Sequence, residues 1–191
     1  MPKTAEYVAA IANRRCLHLS ARELAEITAM VMETGSFAPE SETVARFKAG
    51  ALTRGMLTFF VPWLWRDRPD TSPVPNEVWR GMFEQVEYTE DMVVRDRPRR
   101  TVRAYRGATA ENSDGLAWSL DVEQAKYFAR SRQAPGAHAQ VWVANIPPQR
   151  IFARFIDGWE NEVTADARGL DIRPLEDEHL LPRPRNWPWR R

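Results

Sequence analysis

The sequence predicts an α+β protein whose first half is helical and whose second half is made of short strands around one helix. Apolar residues recur every three to four positions up to about residue 92, whereas from residue 100 they alternate within short runs. Helices gathered ahead of a sheet are typical of the α+β class. We therefore predict a helical region at 1–98, a β-sheet core at 99–178, and a tail rich in Pro, Trp and Arg at 179–191.

Four runs in the first half have helical spacing: residues 6–19, 20–35, 41–63 and 76–88. The second has the clearest boundaries, because Ser20 followed by Glu23 forms a capping box and Gly35 is a typical stop. The third is interrupted at Pro62, where a helix is expected to break. The fourth begins after an N-cap at Asn76.

The second half contains six runs with strand character: residues 101–107, 115–120, 139–146, 150–156, 161–166 and 169–175. β-Branched and aromatic residues in short alternating runs favour strands. Between the second and third runs, residues 121–132 have helical spacing. Asp121 is the predicted N-cap of this helix, and Gln124 stands at the capping-box position.

Composition limits the classes of function. Of the 191 residues 43% are apolar and 28% charged, as in ordinary globular proteins, and the net charge of +1 provides no general attraction to nucleic acid or anionic membranes. Cys16 is the only cysteine, and the three histidines lie far apart. We therefore expect a cytoplasmic protein without a metal site, without a membrane segment and without a nucleic-acid partner.

The pair Glu160 and Glu162 is the most unusual feature of the second half. If a strand begins at Glu160, alternation directs both carboxylates to the same side, where they repel each other unless a positive group is present. A solvated strand edge would also tolerate such a pair. Neither carboxylate indicates a function by itself.

The order of four short motifs is more informative: Tyr105-Arg106-Gly107, Ala117-Trp118-Ser119, the helix at 121–129, and Glu160-Asn161-Glu162. This order resembles that of ADP-ribosyltransferases of the arginine-serine-glutamate toxin type, and in particular short domains of bacterial and phage proteins. The resemblance covers residues 100–175, about 40% of the chain. It implies a split β-sheet core, NAD as substrate, and the context of a toxin or effector.

The resemblance also implies roles for particular residues. Arg106 would contact the NAD phosphates, which suit the fork of a guanidinium. Gly107 would leave backbone accessible to the nicotinamide carboxamide. Ser119 would occupy the last position of the serine motif, and Trp118, Tyr127 or Phe128 would offer a face to the nicotinamide ring.

Glu162 matches the catalytic glutamate of this family, which stabilises the cationic ribosyl transition state. Glu160 would then act on the acceptor, which the resemblance implies is an arginine of a protein. Ala117 departs from the pattern, because the family has a serine there whose hydroxyl orients the catalytic glutamate.

Three questions remain open at this point: the activity, the place of the helical region and the role of the tail. Water could be the acceptor, which would make the protein an NAD glycohydrolase, or the domain could be degenerate and only bind a partner. The helical region could cover the back of the core or contribute to the acceptor-binding surface. The tail, with Trp187 and Trp189 among basic residues, could either dock on the domain or stack on single-stranded nucleic acid.

Overall fold

The computed structural model describes residues 2–36, 39–68, 72–131, 138–156 and 161–176. The helices are α1 (Pro2–Arg14), α2 (Ala21–Thr34), α3 (Glu40–Lys48), α4 (Arg54–Asp67), α5 (Asn76–Phe83) and α6 (Val122–Ser131). The strands are β1 (Thr89–Glu90), β2 (Val93–Val94), β3 (Val102–Ala108), β4 (Ala117–Ser119), β5 (Gln140–Ile146), β6 (Ile151–Phe155), β7 (Glu162–Ala165) and β8 (Ile172–Pro174). The predicted mixture of helices and sheet is thus present.

The boundaries of α2 agree with the prediction. Ser20 Oγ accepts from the Glu23 backbone N–H at 3.2 Å, and the Glu23 carboxylate accepts from the Ser20 N–H at 2.8 Å. Gly35 follows with a φ of 65°, the left-handed conformation that ends many helices. Local side-chain chemistry therefore determined this helix.

The third predicted helix is two helices, so that prediction was wrong. α3 ends before Gly50, whose φ of 67° is outside the helical region. α4 then begins with a cap of its own, because Thr53 Oγ1 accepts from the Met56 N–H at 3.2 Å.

Pro62 lies inside α4 and does not break it, contrary to the prediction. Proline in a helix interior lacks one N–H and costs about 3 kcal/mol. Its neighbours Phe59, Phe60 and Val61 are fully buried, and burying a large apolar side chain contributes about 1.5–3 kcal/mol. Tertiary packing therefore outweighs the local cost of the proline.

The other two predicted helices are shorter than expected. α1 ends at Arg14, and Cys16 has a φ of 57°, so the predicted continuation to residue 19 was wrong. α5 starts with Asn76 as its first helical residue and follows Pro75, without a side-chain cap. It ends at Phe83, after which the chain enters β1.

The strands form one mixed sheet in the order β2-β1-β6-β7-β4-β3-β5-β8. β1 runs parallel to β6, and the other paired neighbours are antiparallel. β1 and β2 belong to the predicted helical region, yet they extend the sheet at one edge. The two predicted regions are therefore joined by backbone hydrogen bonds.

The two faces of the sheet are covered by different cores. The larger core combines residues of α1, α2, α4 and α5 with Phe152, Ala153 and Phe155 of β6. A second core on the opposite face includes Ala104 and Trp118. Ala153 and Phe155 pair with Thr164 and Glu162, so the helical region packs on the face that carries Glu162.

Asp166 anchors the end of β7 that is remote from Glu162. Its carboxylate is 3% exposed and lies 3.3 Å from Arg80 Nε of α5, 2.9 Å from Arg150 Nη1 and 2.9 Å from Arg168 Nε. Burial alone raises the pKa of Asp166, but the hydrogen bonds from Arg168 and the charges of Arg168 and Arg80 outweigh it and lower the pKa below its ordinary value. This cluster links α5 to the sheet.

None of the described helices combines the length and the apolar composition that crossing a bilayer requires.

Candidate active site

The fold brings together three strands that carry predicted site residues. β7, β4 and β3 are neighbours in the sheet, although β7 is far from the other two in sequence. Glu162 pairs with Ser119, and Ser119 pairs with Tyr105. Paired residues in antiparallel strands point to the same face, so these three side chains form a row across the sheet.

Glu162 is the first residue of its strand. Asn161 precedes it with a φ of 41°, which is not an extended-strand conformation. Asparagine tolerates this conformation better than most residues. Within the described residues the strand therefore begins one residue later than the predicted run at 161–166, and Glu160 lies outside the described residues.

Two donors hold the Glu162 carboxylate. Thr164, two residues further along β7, donates from Oγ1 to Glu162 Oε1 at 3.0 Å. The indole N–H of Trp65 in α4 donates to the same oxygen. Both hydrogen bonds reach Oε1, and within the described ranges no donor bonds to Oε2.

Trp65 is a rigid donor because aromatic rings surround it. Its ring lies edge-on to Trp79 at 5.3 Å and to Phe83 at 5.4 Å, and it is 2% exposed. The guanidinium of Arg68 stacks on the ring at 3.3 Å from its centroid and bonds to the Trp65 carbonyl. A buried indole N–H needs an acceptor, and here the acceptor is the predicted catalytic glutamate.

The sequence interpretation missed Trp65 and Thr164. Trp65 belongs to an apolar run whose pattern predicts a buried core helix. Thr164 has the pattern of an ordinary strand residue. The alternation of β7 does place Thr164 on the same side as Glu162, so this contact had a signal in the sequence. The contact of Trp65 had none, because 97 positions separate it from Glu162.

Ser119 connects the sheet with the start of α6. Its side chain is almost completely buried, and Oγ accepts from the Asp121 N–H at 3.0 Å. Asp121 Oδ1 in turn accepts from the Glu123 N–H at 2.9 Å, which confirms Asp121 as the N-cap. The capping box predicted for Gln124 was wrong, because its Oε1 has no hydrogen-bond partner and the Asp121 N–H bonds to Ser119 instead.

Arg106 lies on β3 and bonds to the backbone of the segment that leads into β4. Nε donates to the carbonyl of Asn112 at 2.9 Å, and Nη1 donates to the carbonyl of Ala117 at 2.6 Å. Its guanidinium also occupies the space beside Gly115. By alternation the Arg106 side chain starts on the face opposite to the one that carries Tyr105, Ser119 and Glu162.

Gly107 is in close contact with α6. A Cβ at this position would lie 2.1 Å from the Ala125 carbonyl oxygen and 2.4 Å from the Ala129 nitrogen. Because both atoms are backbone, neither can move without moving the helix. Glycine is therefore required here for packing, independently of the predicted contact with nicotinamide.

We expect Gly107→Ala to lower the free energy of unfolding by about 1–3 kcal/mol or more, since overpacking forces the backbone of α6 to shift. Urea unfolding followed by circular dichroism would measure the loss. Gly81→Ala is the control, because its Cβ would meet only the side chain of Phe47 at 3.3 Å and alanine favours the α5 helix. Equal stability of Gly107→Ala and the wild type would contradict the packing role.

The aromatic residues predicted to face nicotinamide are in different places. Trp118 is 1% exposed in the core on the opposite face, and its N–H bonds to the Gly115 carbonyl at 2.7 Å, so the structure does not bring it to Glu162. Phe128 is half-buried on α6 beside Gly107. Tyr127, the third of these aromatic residues, is 52% exposed.

The arrangement places one fixed carboxylate between two helices. Glu162 and Ser119 lie between α4, which contributes Trp65, and the N-terminal end of α6, which Asp121 caps. The helical region therefore contacts the predicted catalytic face, whereas covering the back of the core was the simpler expectation. Such a carboxylate can stabilise a cation or accept a hydrogen bond from a substrate hydroxyl.

The chain matches no model of a known protein family, and it matches neither a curated protein nor a solved structure. In the part of the chain that the structure describes, no three His, Cys, Asp or Glu side chains are grouped in a way that could hold a metal ion.

Proposed function

We propose that the protein is a mono-ADP-ribosyltransferase that moves ADP-ribose from NAD to an arginine of a protein acceptor. The observation that supports this most is the register of β4 and β7, in which Ser119 lies opposite Glu162 on neighbouring strands. The proposal rests further on the order of sequence motifs and on the anchoring of the Glu162 carboxylate by Trp65 and Thr164.

In the proposed reaction the bond between the ribose C1′ and the nicotinamide nitrogen breaks, and nicotinamide leaves with the electron pair. Glu162 stabilises the resulting ribosyl cation. A guanidinium nitrogen of the acceptor then forms the new bond to C1′, while Glu160 receives the proton that this nitrogen loses. Arg106 would contact the phosphates and Gly107 the carboxamide of NAD, which requires Arg106 to release the carbonyls of Asn112 and Ala117.

The first test is NAD consumption by the purified protein, with and without agmatine as an arginine analogue. We expect release of nicotinamide that increases with agmatine and a new ADP-ribosylated agmatine product in mass spectrometry. Glu160→Gln is expected to keep basal NAD hydrolysis and lose the agmatine product, because the amide cannot take up the proton. NAD consumption that is unaffected by agmatine in the wild type would identify a glycohydrolase instead.

A second candidate is a domain that binds a partner without turnover. The bonds from Arg106 to the carbonyls of Asn112 and Ala117 favour it, because these two donors are engaged within the chain. Isothermal titration calorimetry with NAD separates the candidates. Binding without consumption, or no binding, would support the non-enzymatic function.

A further inference from the structure

The serine that the motif lacks at position 117 has a structural counterpart on the next strand. Ala117 pairs with Thr164 of β7, and both lie on the face that carries Ser119 and Glu162. Thr164 is fully buried, and its hydroxyl donates to Glu162 Oε1 at 3.0 Å. A hydroxyl is therefore present at the carboxylate although the expected serine is absent.

The two positions are geometrically related. Side chains directly opposite in an antiparallel pair have Cβ atoms about 4.5–5.5 Å apart, and diagonal neighbours remain within reach of long side chains. Position 117 is diagonal to Glu162, so a hydroxyl on residue 117 and one on Thr164 approach the same carboxylate from two sides. A hydroxyl on β7 therefore contacts the same carboxylate that a hydroxyl on β4 would contact.

Trp65 adds a donor of a different kind. An indole N–H donates and never accepts, so it always presents a partial positive charge to Glu162. Its orientation is set by Trp79, Phe83 and Arg68, which pack on its ring. Because a buried donor next to a carboxylate is strongly favoured, α4 fixes the carboxylate relative to the sheet.

We infer that Thr164 and Trp65 are positioning residues for Glu162: the Thr164 hydroxyl replaces the one missing at Ala117, and the helical region completes the site through Trp65. The inference rests on the proposed transferase function. Both donors bind Oε1, so together they fix the orientation of the Glu162 carboxylate. The helical region is then part of the catalytic unit.

The test moves the hydroxyl between strands. Thr164→Val removes it with little change of shape and is expected to lower kcat for NAD consumption about tenfold, because a hydrogen bond to a charged group is lost. The KM for NAD is expected to stay within about twofold of the wild-type value, because the substrate contacts are not altered. Thr164→Ser, which keeps the hydroxyl, is the matched control and is expected to keep most of kcat.

The double variant Ala117→Ser/Thr164→Val is the decisive comparison, because it removes the hydroxyl on β7 and introduces one on β4. We expect it to recover kcat to within about threefold of the wild type, whereas a purely structural role of Thr164 gives no recovery. Trp65→Phe, which keeps the ring and removes the N–H, is expected to lower kcat about tenfold at unchanged KM. Wild-type kcat in both Thr164→Val and Trp65→Phe would overturn the inference, as would equal losses in Thr164→Ser and Thr164→Val.

A readout that does not depend on turnover separates this inference from the proposed function. The Trp65 indole N–H resonance in a nitrogen–proton correlation spectrum is expected to move in Glu162→Gln and to stay in place in Glu6→Gln, an exposed control on α1. If the resonance shifts but the protein consumes no NAD, the contact between Trp65 and Glu162 is supported and the proposed transferase function is contradicted. An unchanged resonance in Glu162→Gln would overturn the positioning role of Trp65 even if NAD is consumed.

Discussion

Replacing Glu162 with glutamine is expected to lower kcat for NAD consumption by about 10²–10³-fold, the loss that accompanies removal of one group aimed at transition-state charge. The amide oxygen of glutamine still accepts from Trp65 and Thr164, so the fold and the position of the side chain are kept. What disappears is the negative charge opposite the ribosyl cation. Initial rates of nicotinamide release at saturating NAD would measure the change.

Glu6→Gln is the matched control for this variant, because it removes one exposed carboxylate charge without a contact to the sheet core. Its kcat is expected to equal that of the wild type. A Glu162→Gln protein with wild-type Tm and at least a third of the wild-type kcat would rule out Glu162 as the catalytic carboxylate.

The largest effect on stability is expected at Asp166. Asp166→Asn leaves Arg80, which is 8% exposed, as a buried cation without its counter-charge, and breaking such a pair costs about 3–5 kcal/mol. Arg150 and Arg168 can turn toward water because their side chains are 43% and 48% exposed. Arg150→Gln is therefore the control, with an expected loss below about 1 kcal/mol. Urea unfolding of the three proteins at neutral pH gives the comparison.

The contribution of Asp166 also depends on pH in a defined direction. Its pKa in the folded protein lies below the ordinary value of about 3.9, so the stabilisation is present above that pH and is lost as the pH falls through the folded pKa. The difference in Tm between wild type and Asp166→Asn is thus expected to be constant from pH 7 to pH 5 and to shrink below about pH 4. A difference that grows on acidification would contradict this assignment.

Elements with local signals were predictable. Ser20, Glu23 and Gly35 determine the ends of α2 through hydrogen bonds and backbone conformation that involve only neighbouring residues. Asp121 does the same for the start of α6. The alternation of residues 139–146 predicted β5 within one residue, because Pro147 stops the strand locally.

Elements that depend on distant packing were not predictable. Pro62 remains inside α4 because the surrounding core buries that helix on nearly every side. β1 and β2 are too short to have a period of their own, and they exist through pairing with each other and with β6. Local propensity is a weak guide where tertiary contacts contribute more free energy.

In the candidate site, too, local features were predictable from the sequence and contacts between distant residues were not. Alternation along one strand is a local property, so it already implies that Thr164 shares a side with Glu162, and the order of motifs singled out Ser119 and Glu162 without knowledge of their pairing. Three features follow from the packing of the whole chain: β4 and β7 are neighbours, Thr164 lies opposite Ala117, and Trp65 reaches Glu162 from another region of the chain. Contacts between residues far apart in sequence depend on how the helices pack on the sheet, and no periodicity in a single segment encodes that packing.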